Sequence, residues 1–276
     1  MDIQKIAILG SGSMGTAILS GLLKAGFDAA NVAVSTKSVA TASRLAEQFG
    51  VTGHPTEANP EANANAVVGA DVVLVAVKPA YVAEVLREVS ANLREDALVI
   101  SVAAGVTTAT MEAAVPASVG VIRSMPNTPA IVGRAVTGVA RGSRATDAQL
   151  TKAVSLFETV GKVVVLPEIQ IDELGTVSGS GPAYVFFLIE KFTAAAMELG
   201  FDAETAHLLV TETFLGASEL LAAVDKTPAE LRRQVTSPNG TTERAIAQLE
   251  TGNLEDLFVR ATKAALARSK ELAAGK

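Results

Sequence analysis

The chain of 276 residues contains no cysteine. That excludes disulfides, cysteine-ligated zinc, iron–sulfur clusters and cysteine nucleophiles together. Histidine is nearly as scarce. His54 and His207 are the only two and lie far apart in sequence, which argues against a histidine-rich metal site. Positive charge is in deficit, with 23 Lys+Arg against 29 Asp+Glu and a net charge of -6. A broad basic surface for nucleic acid is therefore not expected. A small anion remains admissible, because backbone N–H groups bind one locally. The most apolar window, residues 67–77, is interrupted by Asp71 and is shorter than the about 20 residues of a membrane span. The opening Met1-Asp2-Ile3-Gln4-Lys5 runs straight into a strand-like stretch, without a basic and then apolar leader. The expectation is a cytoplasmic protein with no nucleic-acid or membrane partner. Hydrophobic residues at 49% and charged residues at 19% exclude a disordered chain. The length suits one large domain or two modest ones.

What is present falls into two halves. Through residue 165, short β-branched runs recur at 5–9, 31–35, 71–77, 97–102, 119–123, 135–140 and 162–166. Helical stretches such as 14–25, 39–49, 81–93 and 147–160 separate most of them. Continuous apolar strands alternating with helices predict a parallel sheet covered on both faces. Right-handed crossovers make that sheet doubly wound. From residue 166 the strand pattern stops, and 182–199, 203–224, 228–234, 242–249 and 254–272 read as helices. The first of these carries Phe186, Phe187, Leu188, Ile189 and Phe192, so it is apolar nearly all round and must be buried on most sides. The predicted class is α/β, with a Rossmann-type domain at 1–165 and an all-α domain at 166–276. The second domain's apolar surplus points to a core shared with a second subunit.

The most informative motif is Gly10-Ser11-Gly12-Ser13-Met14-Gly15, which follows the strand Ile6-Ala7-Ile8-Leu9 and opens a helix. In that context Gly10 permits the tight turn, Gly12 lets a pyrophosphate approach the backbone, and Gly15 lets the helix pack on the strand. The end of the second strand selects the dinucleotide. An NAD site places a carboxylate there for the ribose 2′-hydroxyl, whereas this chain has Ser35, Thr36 and Lys37. Two hydroxyls and a cation suit a 2′-phosphate, so NADPH is expected over NADH, with NADH still possible.

Three further strand ends carry candidate loops: Lys78-Pro79, Ala103-Ala104-Gly105, and Arg123 through Pro129. Ligands collect at this edge of such a sheet. Lys78 and Arg123 have structural alternatives, as a surface cap and an ion-pair partner. In the helical half, Ser178-Gly179-Ser180-Gly181-Pro182-Ala183-Tyr184 opens one helix and Thr236-Ser237-Pro238-Asn239-Gly240-Thr241-Thr242 another. The second loop, with four hydroxyls ahead of a positive helix end, suits a small carboxylate. Helix capping alone needs one hydroxyl.

Taken with Ala76-Val77-Lys78-Pro79 and Met125-Pro126-Asn127-Thr128-Pro129, these motifs, in this order over the whole chain, resemble the pyrroline-5-carboxylate reductase family. The resemblance implies NAD(P)H-dependent reduction of the cyclic imine 1-pyrroline-5-carboxylate to L-proline. It also implies a helical domain that interlocks two subunits, with dimers assembled into decamers. Cofactor contacts would fall on Gly10 to Gly15, Ser35 to Lys37, Asn63, Ala76, Val77, Lys78, Pro79, Ala103 and Ala104. Substrate contacts would fall on Glu168, Ser237, Gly240, Thr241 and Thr242, with Thr242 hydrogen-bonding the imine nitrogen. The second loop would come from the partner subunit. The family's loop has Gly-Gly after the proline where this chain has Asn239-Gly240, and Asn tolerates a left-handed conformation. Two rival readings are a β-hydroxyacid dehydrogenase, which needs a catalytic lysine such as Lys191, and a non-catalytic dinucleotide sensor.

Overall fold

The computed structural model describes residues 3–273; Met1 and Asp2 of the leader reading lie outside it. The chain forms two compact units, Gly181–Ala264 and the remainder, the latter including the end of the last helix from Ala265. The larger unit is built on eight strands: β1 (Ile6–Leu9), β2 (Val32–Thr36), β3 (Thr52–Pro55), β4 (Val72–Val75), β5 (Leu98–Ser101), β6 (Gly120–Met125), β7 (Ala135–Arg141) and β8 (Gly161–Val165). Helices α1 (Ser13–Lys24), α2 (Val39–Phe49), α3 (Ala62–Val67), α4 (Val82–Val89), α5 (Thr108–Glu112), α6 (Asp147–Glu158) and α7 (Ile171–Leu174) connect them. The sheet order is β3-β2-β1-β4-β5-β6-β7-β8. Its direction of growth reverses between β1 and β4, the crevice where doubly wound sheets bind ligands.

Burial on both faces explains the unbroken apolar strands. Ile6 and Ile8 of β1 join one core with Leu19, Leu22, Leu74 and Phe157, while Ala7 and Leu9 join the other with Val73, Val75 and Leu86. Local capping sets the helix starts. Ser38 accepts from the Thr41 N–H ahead of α2, and Thr146 and Gln149 form a reciprocal capping box ahead of α6.

Two departures from the sequence pattern have physical causes. β6 and β7 pair antiparallel, because the connection 126–134 holds only a 3-10 turn and is too short for a helical crossover. β3 was not visible as a β-branched run. Its Thr-Gly-His-Pro sequence is accepted because it is an edge strand, where Pro55 costs no ladder bond on the solvent side.

The second unit holds α8 (Gly181–Glu198), α9 (Ala203–Ala223), α10 (Pro228–Gln234), α11 (Thr241–Thr251) and the first part of α12 (Leu254–Ala273). Among the described residues its buried apolar cluster is Ala196, Ala206 and Val210, backed by Ile189 and Phe214. Against that stand Phe186, Phe187, Phe192, Leu199 and Leu208, each more than half exposed. A surface this apolar is a binding surface. The packing division at Ser180 falls later than the strand-to-helix change at 165, because residues 166–180 pack on the sheet of the larger unit, with Ile171 buried and Leu174 against Gly138.

Candidate active site

The three loop glycines meet three different demands. Gly10 has φ +89°, and a Cβ there would lie 2.9 Å from the Ala76 backbone and from Val77. Gly15 is helical, yet its Cβ would come within 2.5 Å of the Gly10 carbonyl oxygen, so α1 sits directly on the turn. At Gly12 a Cβ meets no protein atom within 4 Å. Gly12 is also the N-cap of α1, where no side chain among the described residues caps the helix and no acid occupies the first turn. The first N–H groups of α1 are thus left to an outside acceptor, at the positive end of a 12-residue helix.

Beside this turn lies a cleft of about 720 Å³ that brings together Gly10, Ser11, Gly12, Ser35, Thr36, Lys37, Asn63, Ala76, Val77 and Lys78. Ser13 lines an adjoining groove on the α2 side, and Ala104 a separate cavity. Met14, Gly15, Pro79 and Ala103 line none of these three hollows. Ser35 and Thr36 are buried, and their hydroxyl protons are already committed. Ser35 donates to Asn63 Oδ1, and Thr36 donates to the Ser38 carbonyl at 2.9 Å. Lys37 is exposed and makes no ion pair among the described residues. The sequence reading missed Glu84 and Glu88 of α4, which line the cleft opposite the glycine turn. Asn63 Nδ2 donates to Glu88 Oε2 at 3.0 Å.

The strand-end loops are held by a polar network. Ser101 Oγ accepts from the Ala103 N–H at 3.1 Å, and Ser124 Oγ donates to the Ser101 carbonyl at 2.7 Å. Asn127 Nδ2 donates to the Ser178 carbonyl, while its Oδ1 accepts from the Val136 N–H, each at 2.9 Å. Glu168 accepts from the Thr108 N–H and from Thr108 Oγ1, both at 2.6 Å, and so caps α5. Arg123, 3% exposed, donates to Asp172 at 2.5 Å and lies 3.7 Å from Glu168. This is the ion-pair alternative, and the arginine acts within the fold. Arg123→Met is expected to lower unfolding free energy by about 3 kcal/mol. That is the low end of the cost of breaking a buried pair, because Asp172 keeps some solvent. An unchanged urea midpoint would contradict this. A cavity of about 300 Å³ lies beyond the network, lined by Ala104, Met125, Asp172, Thr176, Ser180 and Arg268 among others.

In the helical unit, the second loop folds as its composition suggests. Asn239 adopts φ +58°, a conformation that Asn accepts in place of the family's glycine. Its N–H donates to Glu243 at 2.9 Å. Gly240 caps α11, and a Cβ there would lie 2.5 Å from Ser237 Oγ, so glycine is required by space. Among the described residues no side chain caps α11. Ser237 and Thr241 are exposed and Thr242 half-buried at this helix start. Lys191 pairs with Glu190 at 2.6 Å and sits 5.0 Å from the centre of the Phe187 ring.

Comparison with known proteins bears on both units. Residues 168–272 match a family model described as "Pyrroline-5-carboxylate reductase dimerisation". Residues 5–105 match one described as "NADP oxidoreductase coenzyme F420-dependent". A pyrroline-5-carboxylate reductase of Pseudomonas aeruginosa is 38% identical over 99% of this chain and 98% of its own. The solved pyrroline-5-carboxylate reductase of Coxiella burnetii superposes with a TM-score of 0.91 at 38% identity, covering 98% of each chain. The Plasmodium falciparum enzyme, solved with NADP bound, shares the fold with a TM-score of 0.83 at 24% identity, over 99% of this chain and 98% of its own. Near-complete coverage at this identity goes beyond a common sheet architecture: the chain belongs to the pyrroline-5-carboxylate reductase family.

Proposed function

We propose that this protein reduces 1-pyrroline-5-carboxylate to L-proline with NADPH, as the last step of proline biosynthesis, and that it works as a homodimer capable of assembling into decamers. The observation that carries the reading is the pair of uncapped helix starts, α1 behind the glycine turn and α11 behind the second loop. One suits a pyrophosphate and the other a small carboxylate, and the two anions belong to the two reactants of such a reduction.

The residues fit the cofactor. The open Cβ position at Gly12 would accommodate the pyrophosphate, and Lys37, which lines the same cleft and makes no ion pair among the described residues, would meet the 2′-phosphate. No carboxylate follows β2 directly, which favours NADPH over NADH. Ala103 and Ala104 are small enough for the nicotinamide end to approach the backbone. NADPH, when bound, supplies hydride to the imine carbon.

The chain's own residues bind and orient. Ser237, Gly240 and Thr241 hold the substrate carboxylate against the α11 N–H groups, and Thr242 hydrogen-bonds the imine nitrogen. A threonine hydroxyl is too weak an acid to supply the proton, so that proton arrives with the substrate or from water. Rate acceleration then comes mainly from positioning. Glu168 is a further candidate substrate contact, and the two hydrogen bonds it accepts from Thr108 support a role in holding the loop edge as well.

We place residues 1–165 as the cofactor domain and 166–276 as the domain that dimerises and carries the substrate loop, one subunit's loop completing the other's site. The exposed aromatic face of α8 supports this assembly. Phe187, which lines an apolar groove with Leu257 and Phe258, is a suitable probe. Phe187→Ser is expected to raise the dimer dissociation constant about tenfold or more, with turnover falling as dimer is lost. Light scattering over a concentration series checks it. A variant that stays dimeric at every dilution would remove this face from the interface.

A further inference from the structure

Ser35, Asn63 and Glu88 all line the cofactor cleft, and they are joined in a line: Ser35 Oγ donates to Asn63 Oδ1, and Asn63 Nδ2 donates to Glu88 Oε2. The order of donors in that line is fixed from one end. A carboxylate accepts and cannot donate, so the amide of Asn63 must present its NH₂ to Glu88. Its carbonyl is then left facing Ser35, and the Ser35 proton is drawn onto it. Ser35 therefore offers the cleft lone pairs only.

That polarity matters for the ligand on which the proposed reductase reading rests. A ribose 2′-hydroxyl donates a proton and suits an acceptor. A 2′-phosphate accepts and needs donors. We infer that Glu88, acting through Asn63, is a positioning residue that limits the preference for NADPH over NADH by holding Ser35 as an acceptor. Lys37 attracts the 2′-phosphate, and Glu88 restrains how far that attraction goes.

Glutamine at position 88 releases the restraint. It is the same size, sits at an exposed position on α4, and offers Asn63 either a carbonyl or an NH₂. The Asn63 amide is then free to turn its NH₂ to Ser35, and the Ser35 proton becomes available to a phosphate.

The test is a double-mutant cycle of Glu88→Gln with Ser35→Ala. Dissociation constants for NADPH and NADH are read by nucleotide fluorescence, and kcat/KM for each is read with the imine. Glu88→Gln is expected to raise the preference for NADPH about tenfold, as the NADPH-to-NADH ratio of kcat/KM and as the NADH-to-NADPH ratio of dissociation constants, the worth of one hydrogen bond to a charged group. In the Ser35→Ala background it should leave the preference unchanged. An unchanged preference on Glu88→Gln with the native Ser35 in place overturns the inference. So does an equal rise in both backgrounds, which is the result of removing a negative charge and nothing more. The binding constants need no imine, so a failed reductase reading shows as nucleotide binding without turnover and leaves this test intact.

Discussion

Alanine at Gly12 is expected to leave the thermal midpoint where it is and to weaken NADPH at least about a hundredfold, because it obstructs the anion's approach to a helix start. The backbone there is extended, with φ -72° and ψ -166°, so an L-residue adopts it without strain. Apart from its chain neighbours the added methyl meets no described atom within 4 Å, and alanine's weaker preference for the helix cap is offset by the reduced freedom of its unfolded chain. Gly12 nonetheless lines the cleft, and a methyl there stands between the pyrophosphate and the α1 N–H groups. Gly10 and Gly15 give the opposite signature. Alanine at Gly10 combines left-handed strain with a backbone clash, and alanine at Gly15 drives into the Gly10 carbonyl, so both lower stability as well as affinity. Calorimetry and nucleotide titration separate the two cases. A Gly12→Ala protein that binds NADPH normally would sink the assignment of this turn as the pyrophosphate site.

The second large effect concerns chemistry without cofactor binding. Thr242→Ala is expected to lower kcat by about a hundredfold or more while leaving the NADPH dissociation constant unchanged, the scale of loss when a positioned donor is taken from a reacting centre. Thr242 stands at the start of α11 in the helical unit and is not among the residues of the nucleotide cleft. Alanine is a good helix former, so the helix itself survives. Thr242→Ser should restore most of the turnover, since it keeps the hydroxyl. Full activity in the alanine variant would remove Thr242 from the reaction, and a parallel loss of NADPH affinity would reassign it to the fold.

Much of this architecture was legible in the sequence, and the reason is periodicity. Strands buried on both faces announce themselves as apolar runs, and β1, β2, β4, β5 and β6 were all placed from that pattern. The glycine turn was legible because its spacing is distinctive after a strand, and Gly10 and Gly15 answer steric demands within the fold that other residues cannot meet. The elements missed were those without a periodic signal. β3 is four residues carrying Gly and Pro at an edge. α3 is a single short turn of Ala and Asn, buried by its neighbours rather than by its own pattern.

In the site, single residues were legible and their partners were not. Ser35 and Asn63 were named from the sequence, but the chain from Asn63 to Glu88 spans 25 positions and leaves no spacing to detect. The same holds for Glu168 and Thr108, 60 positions apart, and for Arg123 and Asp172, 49 apart. Such bonds exist only because the fold brings segments distant in sequence together. Folding therefore changes the roles of Ser35 and Thr36. Read from sequence they are donors to a phosphate; in the structure both protons are already given away.

The central claim is the imine reduction, and one measurement tests it most directly. NADPH absorbance is followed with the purified dimer, with and without 1-pyrroline-5-carboxylate, and the mixture is assayed for proline. The account predicts loss of absorbance only when the imine is present, with one proline formed for each NADPH consumed. A folded dimer that binds NADPH but leaves it unoxidised in the presence of the imine would contradict it.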